Sequence, residues 1–311
     1  MVSSDKAASA VQWITIDTER SGQRLDNFLI STLKGVPRAH IYRIVRKGEI
    51  RINKGRRGAD YRLQAGDVIR IPPIHTKAPP PQAPELDWLP EHILYEDDHL
   101  LVLNKPSGMA VHGGSALSFG VIEALRVLRP QARALELVHR LDRGTSGCLL
   151  VAKRRSALRG LQAALRDGGF DKRYVALLCG RMSGGRRVVE APLLRMEAAE
   201  RRVVVHPSGK AAQTILTPRR FCGGATLVDV ELLTGRTHQV RVHAAHIGHP
   251  VAGDETYGES ACNDTWRTRG LTRLFLHAAR LTVPHPSTGV PLQIEAPLPA
   301  DLRAVLASTE C

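Results

Sequence analysis

The chain has 311 residues, room for two domains, and its 43% hydrophobic and 24% charged content is that of an ordinary globular protein. No apolar run approaches the roughly 18 residues of a membrane span, residues 1–10 hold no apolar leader core, and the five scattered cysteines include no C-x-x-C pair. A membrane-spanning, secreted or zinc-module protein is thereby set aside for a cytoplasmic one with idle thiols, and the net charge of +14 points to a polyanionic partner.

Residues 1–12 read as a flexible tail. Leu25, Phe28, Leu29 and Leu33 fall at i, i+3, i+4 and i+8, one face of a helix that Gly35 and Pro37 should end. Ile41, Ile44 and Val45 form the apolar face of a second helix, stopped by Gly48, with Arg43, Arg46 and Lys47 on its other side. Ile50 and Ile52 alternate with Arg51 and Asn53, a turn bearing Arg56 and Arg57 follows, and a strand over 68–71 completes a short sheet. Between Ser21 and His75 stand 12 Lys and Arg against 4 Asp and Glu. A cation stripe is usually just a solvated face, but beside a basic turn this surplus favours RNA. Contact would be to phosphates and shape, because an A-form helix hides its base edges. No amphipathic helix with aromatic anchors supports a membrane surface instead. Prolines at 79–81 mark a stiff tether over 76–90. The basic domain is therefore read as 13–75 and the larger one as 91–311.

Within the larger domain, short strands are expected at 100–104, 149–153, 173–179, 202–205, 226–233 and 237–243. Ser118 should cap a helix ended by Pro130, and Ser156 should open another ended by Gly168-Gly169. Hairpin-length turns join several strands, so the expected class is α+β, a mostly antiparallel mixed sheet flanked by helices. His238, His243, His246 and His249 do not match H-E-x-x-H, and no Cys or acid joins them before Asp254, so no metal is expected.

The most informative stretch is His139-Arg140-Leu141-Asp142-Arg143-Gly144-Thr145-Ser146-Gly147. An apolar run over 135–138 precedes it and another over 148–152 follows. Strand, bend and returning strand would hold Asp142 rigidly, with Arg140 and Arg143 beside it to keep it anionic. The commoner fate of a lone Asp in such a turn is to cap it. His139, Asp142 and Ser146 cannot form a hydrolase relay, since three members of one tight turn cannot align.

With Arg143 and Gly144 free, this stretch resembles the signature of the RluA-type RNA pseudouridine synthases; at Gly144 that family more often has an acid. Further pieces agree: Leu103-Asn104-Lys105-Pro106-Ser107-Gly108, Lys172-Arg173-Tyr174, the segment Thr234 to His243, and Leu276-His277-Ala278. Arg24-Leu25-Asp26-Asn27-Phe28-Leu29 and the segment 46–53 resemble an S4 RNA-binding domain. The resemblance implies that Asp142 is catalytic, that Tyr174 stacks on the target base, that Arg241 pairs with Asp142 and that Leu276 lines the site. Arg140 would fill the space an extruded base leaves, with His139 beside it at the RNA. Strand alternation would put Thr237, Gln239 and Arg241 on one face.

The implied reaction turns uridine into pseudouridine in structured RNA, with no cofactor and no metal, in a monomer. The runs Leu33 to Pro37 and Ile41 to Ile44 look like the RluC-type branch, which modifies large-subunit ribosomal RNA. Whether the carboxylate attacks C1′ or takes the C2′ proton stays open. Two other readings stand beside this one, a non-catalytic S4-type assembly factor and a tRNA-directed synthase.

Overall fold

The uninterrupted apolar runs of the sequence are strands covered on both faces. The computed structural model describes residues 11–33, 36–74, 86, 88–113, 120–129, 131–132, 134–196 and 202–309, in two units that divide between residues 84 and 85. Pro79, Pro80, Pro81 and Pro84 of the expected tether, with Ser118, Pro130 and Gly35, lie outside the described residues. Leu86 and Leu89, read as tether, are buried in the core of the larger unit.

The smaller unit comprises β1 (Gln12–Thr15), α1 (Leu25–Thr32), α2 (Arg38–Lys47), β2 (Arg51–Ile52) and β3 (Val68–Ile71), with an antiparallel sheet in the order β1-β3-β2. The predicted helix faces pack together: Leu25, Phe28 and Leu29 join Ile41, Ile44 and Val45 over Ile52, Ile69 and Ile71. Gly48 ends α2 in the left-handed conformation, φ 71°, which a Cβ would oppose. Arg43, Arg46 and Lys47 on α2, and Arg56 and Arg57 in the turn after β2, are exposed.

The larger unit runs β4 (Ile93–Glu96), β5 (Leu100–Lys105), α3 (Val121–Leu128), β6 (Glu136–Leu137), β7 (Ser146–Ala152), α4 (Arg155–Arg166), β8 (Asp171–Cys179), β9 (Arg187–Glu190), β10 (Leu193–Arg195), β11 (Val203–Val205), β12 (Gln213–Cys222), β13 (Ala225–Leu232), α5 (Gln239–His246), α6 (Ser260–Thr268), β14 (Leu276–Pro284), β15 (Pro291–Glu295) and α7 (Ala300–Ala307). Ten strands form one mixed sheet with the path β4-β5-β7-β14-β8-β13-β12-β9; β6 adds to β7 and β15 to β14. The pairing of β14 with β7 is parallel and the others are antiparallel. Period-two alternation then divides the apolar runs between two layers. Leu149, Val151, Tyr174 and Ala176 face a layer holding α3 and α5, while Leu150 and Val175 face the side of α4, α6 and α7. Helices on both sides explain why β7 is buried at every position.

Two of these expectations are corrected, and one strand was not foreseen. The segment 237–243 is not a strand: α5 occupies Gln239–His246. Its valines misled because Val240 packs with Ala244 in the central core, while Val242 joins Leu193 and Val203 in a separate cluster. Both sides of this helix are buried, so apolar residues two apart mimic strand alternation. The ten-residue β12 escaped prediction because Pro218, Arg219 and Arg220 interrupt it; a bulge between Pro218 and Arg220 accommodates the proline. Cys179 and Cys262 are not idle thiols but a disulfide, joining the end of β8 to α6 across 83 residues of sequence. Cys148 is a buried free thiol.

Candidate active site

Asp142 sits in the bend between β6 and β7, which pair antiparallel at Glu136↔Ala152 and Leu137↔Val151. The bend closes on itself through the Thr145 amide, which donates to the Asp142 carbonyl at 3.1 Å. The turn after β5 braces it from below. Lys105, fully buried, donates from Nζ to the carbonyls of Pro106, Met109 and Arg143 at 2.8, 2.9 and 3.2 Å. The Ser107 hydroxyl donates to the Gly144 carbonyl at 2.7 Å, and Gly108 and Arg143 exchange two further bonds. Burial pushes the Lys105 amine down to about 7. Thr145 and Ser146 are buried; the Ser146 hydroxyl meets His277 Nδ1 at 2.9 Å. Gly147 lies at φ 109° against the backbone of Ala278, where a Cβ would collide. Each residue of Thr145-Ser146-Gly147 thus has a packing reason that holds the acid still.

The cations facing Asp142 are not its chain neighbours. Arg143 is turned to Gly108, and Arg140 stands exposed at the rim. Instead, Arg241 Nη1 from α5 lies 3.5 Å from Asp142 Oδ2, and His238 Nε2 lies 3.9 Å from Oδ1. Arg241 is itself gripped by a second acid: its Nε and Nη2 donate to Asp254 at 2.7 and 2.8 Å. The Asp254 side chain is wholly buried and also accepts the amides of Thr256 and Tyr257. Burial opposes the charge on Asp254, but Arg241 and these amides hold its carboxyl below the usual range. Bidentate pairing fixes the guanidinium plane.

Tyr257 links the pieces. Its hydroxyl accepts the Val203 amide at 3.0 Å and lies 2.8 Å from His238 Nδ1. With Val203 donating to it, the hydroxyl still has its own proton to offer Nδ1, and in that arrangement a neutral imidazole presents Nε2–H to Asp142. Burial lowers the His238 pKa, in keeping with the neutral ring. His238 holds φ 54°, a left-handed conformation uncommon for any residue but glycine, as it turns the chain into α5.

Asp142, His238 and Arg241 open onto a cavity of about 470 Å³, lined also by His139, Arg140, Lys172, Tyr174, Arg236 and Leu276. That volume is in the range of pockets for a nucleotide-sized ligand. Tyr174 on β8 is 8% exposed, and burial drives its phenol pKa up, so the ring stays neutral. His139 lines the wall, but its Nε2 accepts the Leu150 amide at 3.1 Å, and burial pushes it down to about 4. Asp142, Tyr174, Arg241, Leu276, His139 and Arg140 therefore meet at one cavity. The cations at 43, 46, 47, 56 and 57 belong to the other unit.

Sequence reasoning missed Asp254, Tyr257 and the bracing role of Lys105. The available signal was Asp254-Glu255-Thr256-Tyr257-Gly258, an acid able to cap its own turn. Among the described residues, no three His, Cys, Asp or Glu gather to hold a metal. His243 bonds Thr214 and the Ala191 carbonyl instead, and His249 the carbonyl of Cys179.

Comparison with known proteins gives the family. Residues 99–246 match the family model for RNA pseudouridylate synthase, and residues 23–69 match the S4 domain. The chain is 54% identical to the ribosomal large subunit pseudouridine synthase C of Yersinia pestis, covering 95% of each chain. It is 51% identical to the protein of the same name from Escherichia coli (strain K12), over 96% of each. Among solved structures, human RNA pseudouridylate synthase domain containing 1 is similar with a TM-score of 0.58 and 28% identity, over 70% of this chain and 86% of that one.

Proposed function

The chain belongs to the RNA pseudouridylate synthase family, and from that premise we propose that it isomerises uridines of 23S ribosomal RNA with Asp142 as the catalytic carboxylate. The observation that carries this reading is the Asp142 carboxylate, fixed in a rigid bend at the wall of a nucleotide-sized cavity with Arg241 Nη1 3.5 Å away.

The reaction breaks the N1–C1′ bond, turns the uracil and joins C5 to C1′. C5 gives up a proton and N1 gains one, so the atoms balance with no redox change. The step calls for an anionic oxygen at the sugar, either to attack C1′ or to take the C2′ proton. Arg241 serves as counter-ion, and the neutral His238 offers an N–H dipole to the same carboxylate. Extruding the base costs a few kcal/mol, and stacking on Tyr174 would return about 1–3 kcal/mol. Leu276 closes the apolar side of the base, and Arg140, exposed at the rim, fills the vacated stack.

In this reading residues 13–75 form the RNA-binding domain, joined by a tether that ends before Leu86 to the catalytic domain. Arg43, Arg46, Lys47, Arg56 and Arg57 contact phosphates of structured RNA. The protein works as a monomer in the cytoplasm. Asp142→Asn is expected to abolish pseudouridine formation on an unmodified 23S transcript while RNA affinity stays within about twofold, the change being isosteric at a group that serves the chemical step. Retained product in that variant overturns the assignment of Asp142. Mapping pseudouridine in ribosomal RNA with and without the gene tests the substrate.

A further inference from the structure

The cavity beside Asp142 carries more positive charge than its own acid balances. Asp142 faces Arg241, and Arg241 is already engaged by Asp254. Yet Arg140, Arg166, Lys172 and Arg236 line the same cavity, and no carboxylate of the described residues forms an ion pair with any of them. Arg140, Arg166 and Arg236 are solvated, and with the half-buried Lys172 they give the cavity a positive potential that attracts a negatively charged ligand.

Lys172 is the most telling member. On β8 it lies two residues from Tyr174 and so shares its face, while Asp171 and Arg173 point the other way and pair with each other. Its Nζ has one acceptor, the Thr234 carbonyl at 3.3 Å, which leaves two N–H directions of the ammonium unmet. Burial lowers its pKa, as expected for a cation held in a wall without its partner. Across the Thr234-Gly235-Arg236 turn, Arg236 is anchored by Nε to the Ala211 carbonyl at 3.0 Å. Both of its Nη groups remain available. Leu233, 45% exposed, lies beside them in the cavity lining.

A uracil ring does not answer this arrangement, because its face is met by Tyr174 and it carries no formal charge. A phosphodiester does: one follows the nucleoside on either side. We propose that Lys172 and Arg236 form a phosphodiester subsite that grips the RNA backbone next to the extruded nucleotide. The inference rests on the RNA-isomerase reading of the same cavity.

The test is single-turnover pseudouridine formation on an unmodified 23S transcript, titrated in protein and in salt, for Lys172→Met, Arg236→Gln and Lys172→Arg. Each neutral variant is expected to raise the half-maximal protein concentration about tenfold, the loss of one charge-assisted hydrogen bond. The maximal rate should stay within about threefold. The slope of log affinity against log salt should become shallower by about 0.7–0.9 for each cation removed, and Lys172→Arg should restore it. Arg236 is exposed, so its variant reads the subsite whatever Lys172→Met does to folding. An unchanged salt slope in both neutral variants, or a loss confined to the maximal rate, overturns the subsite. If the wild-type protein makes no pseudouridine, the isomerase reading fails instead. The subsite is then judged by the same salt series on RNA binding by Asp142→Asn.

Discussion

Asp254→Asn separates the aiming of Arg241 from its mere presence. Asp254 takes Nε and Nη2 of the guanidinium and leaves Nη1 for Asp142. The amide keeps the shape and can still accept the Thr256 and Tyr257 amides through its oxygen. It removes the charge, however, and sets an NH₂ against one arm of the arginine. Breaking a buried pair costs about 3–5 kcal/mol when the survivor has no other partner; Asp142 still answers Arg241, so a loss of about 2–3 kcal/mol is expected. For a unit of this size that lowers Tm by roughly 4–12 °C. The kinetic effect should be larger than the thermal one suggests. An arginine free to swing pulls on Asp142, and misplacing a reacting group by about 1 Å costs on the order of 10² in rate. Single-turnover assays well below the melting temperature should show that drop, with the half-maximal RNA concentration within about twofold of wild type. A variant that melts earlier yet keeps the wild-type rate would refute the lock on Arg241.

Lys105→Met removes the ammonium donor from the carbonyls of Pro106, Met109 and Arg143, the last of which keeps the Gly108 amide, at about 1–3 kcal/mol for each carbonyl left unpaired. Both Tm and the single-turnover rate should fall, and wild-type values in either would remove Lys105 from the support of the bend. Gly147→Ala combines a φ of 109° with a clash against the Ala278 backbone. Such strain costs about 1–3 kcal/mol before the clash is counted, so the variant should accumulate poorly as folded protein; a normal melt would contradict the parallel contact of β7 with β14. His139 offers a pH test. Its folded pKa, about 4, lies below the unfolded 6.5, so the unfolded chain binds more protons between those values. Its contribution is present above pH 6.5 and is lost as pH falls toward 4. Thermal melts across that window should show a slope that His139→Gln reduces, and parallel slopes would dismiss the neutral, amide-accepting ring.

Much of this site was legible because its acid-bearing half is local. The bend from Leu135 to Ala152 is one hairpin, so apolar runs and a Gly-containing turn suffice to place Asp142. The basic helix α2 was equally plain, since its apolar and charged faces keep one period and Gly48 closes it. Elements failed where two cores compete for one segment. In α5 Val240 and Val242 serve different clusters, and in β12 a bulge carries Pro218 through the sheet. The resemblance supplied Arg241 as partner to Asp142, but a strand would have presented it by alternation. The helix presents it by rotation, which is why Gln239 is not its companion at the acid. Gln239 instead turns inward to Thr234 and Thr214.

The two halves of the site have different supports, and this shapes how it can fail. Asp142 is held by backbone: the Lys105 ammonium, Ser107 and Gly108 all bind main-chain atoms of its loop or of the turn beneath it. Arg241 and His238 are held by side chains, Asp254 and Tyr257, from the segment that follows α5. Asn263 on α6 clamps that segment in turn, accepting the Gly253 amide and donating to the Asp254 carbonyl. A substitution in the hairpin therefore threatens the fold together with the acid. One in residues 253–263 can leave Asp142 in place and take away its counter-ion, so loss of rate without loss of fold should concentrate there.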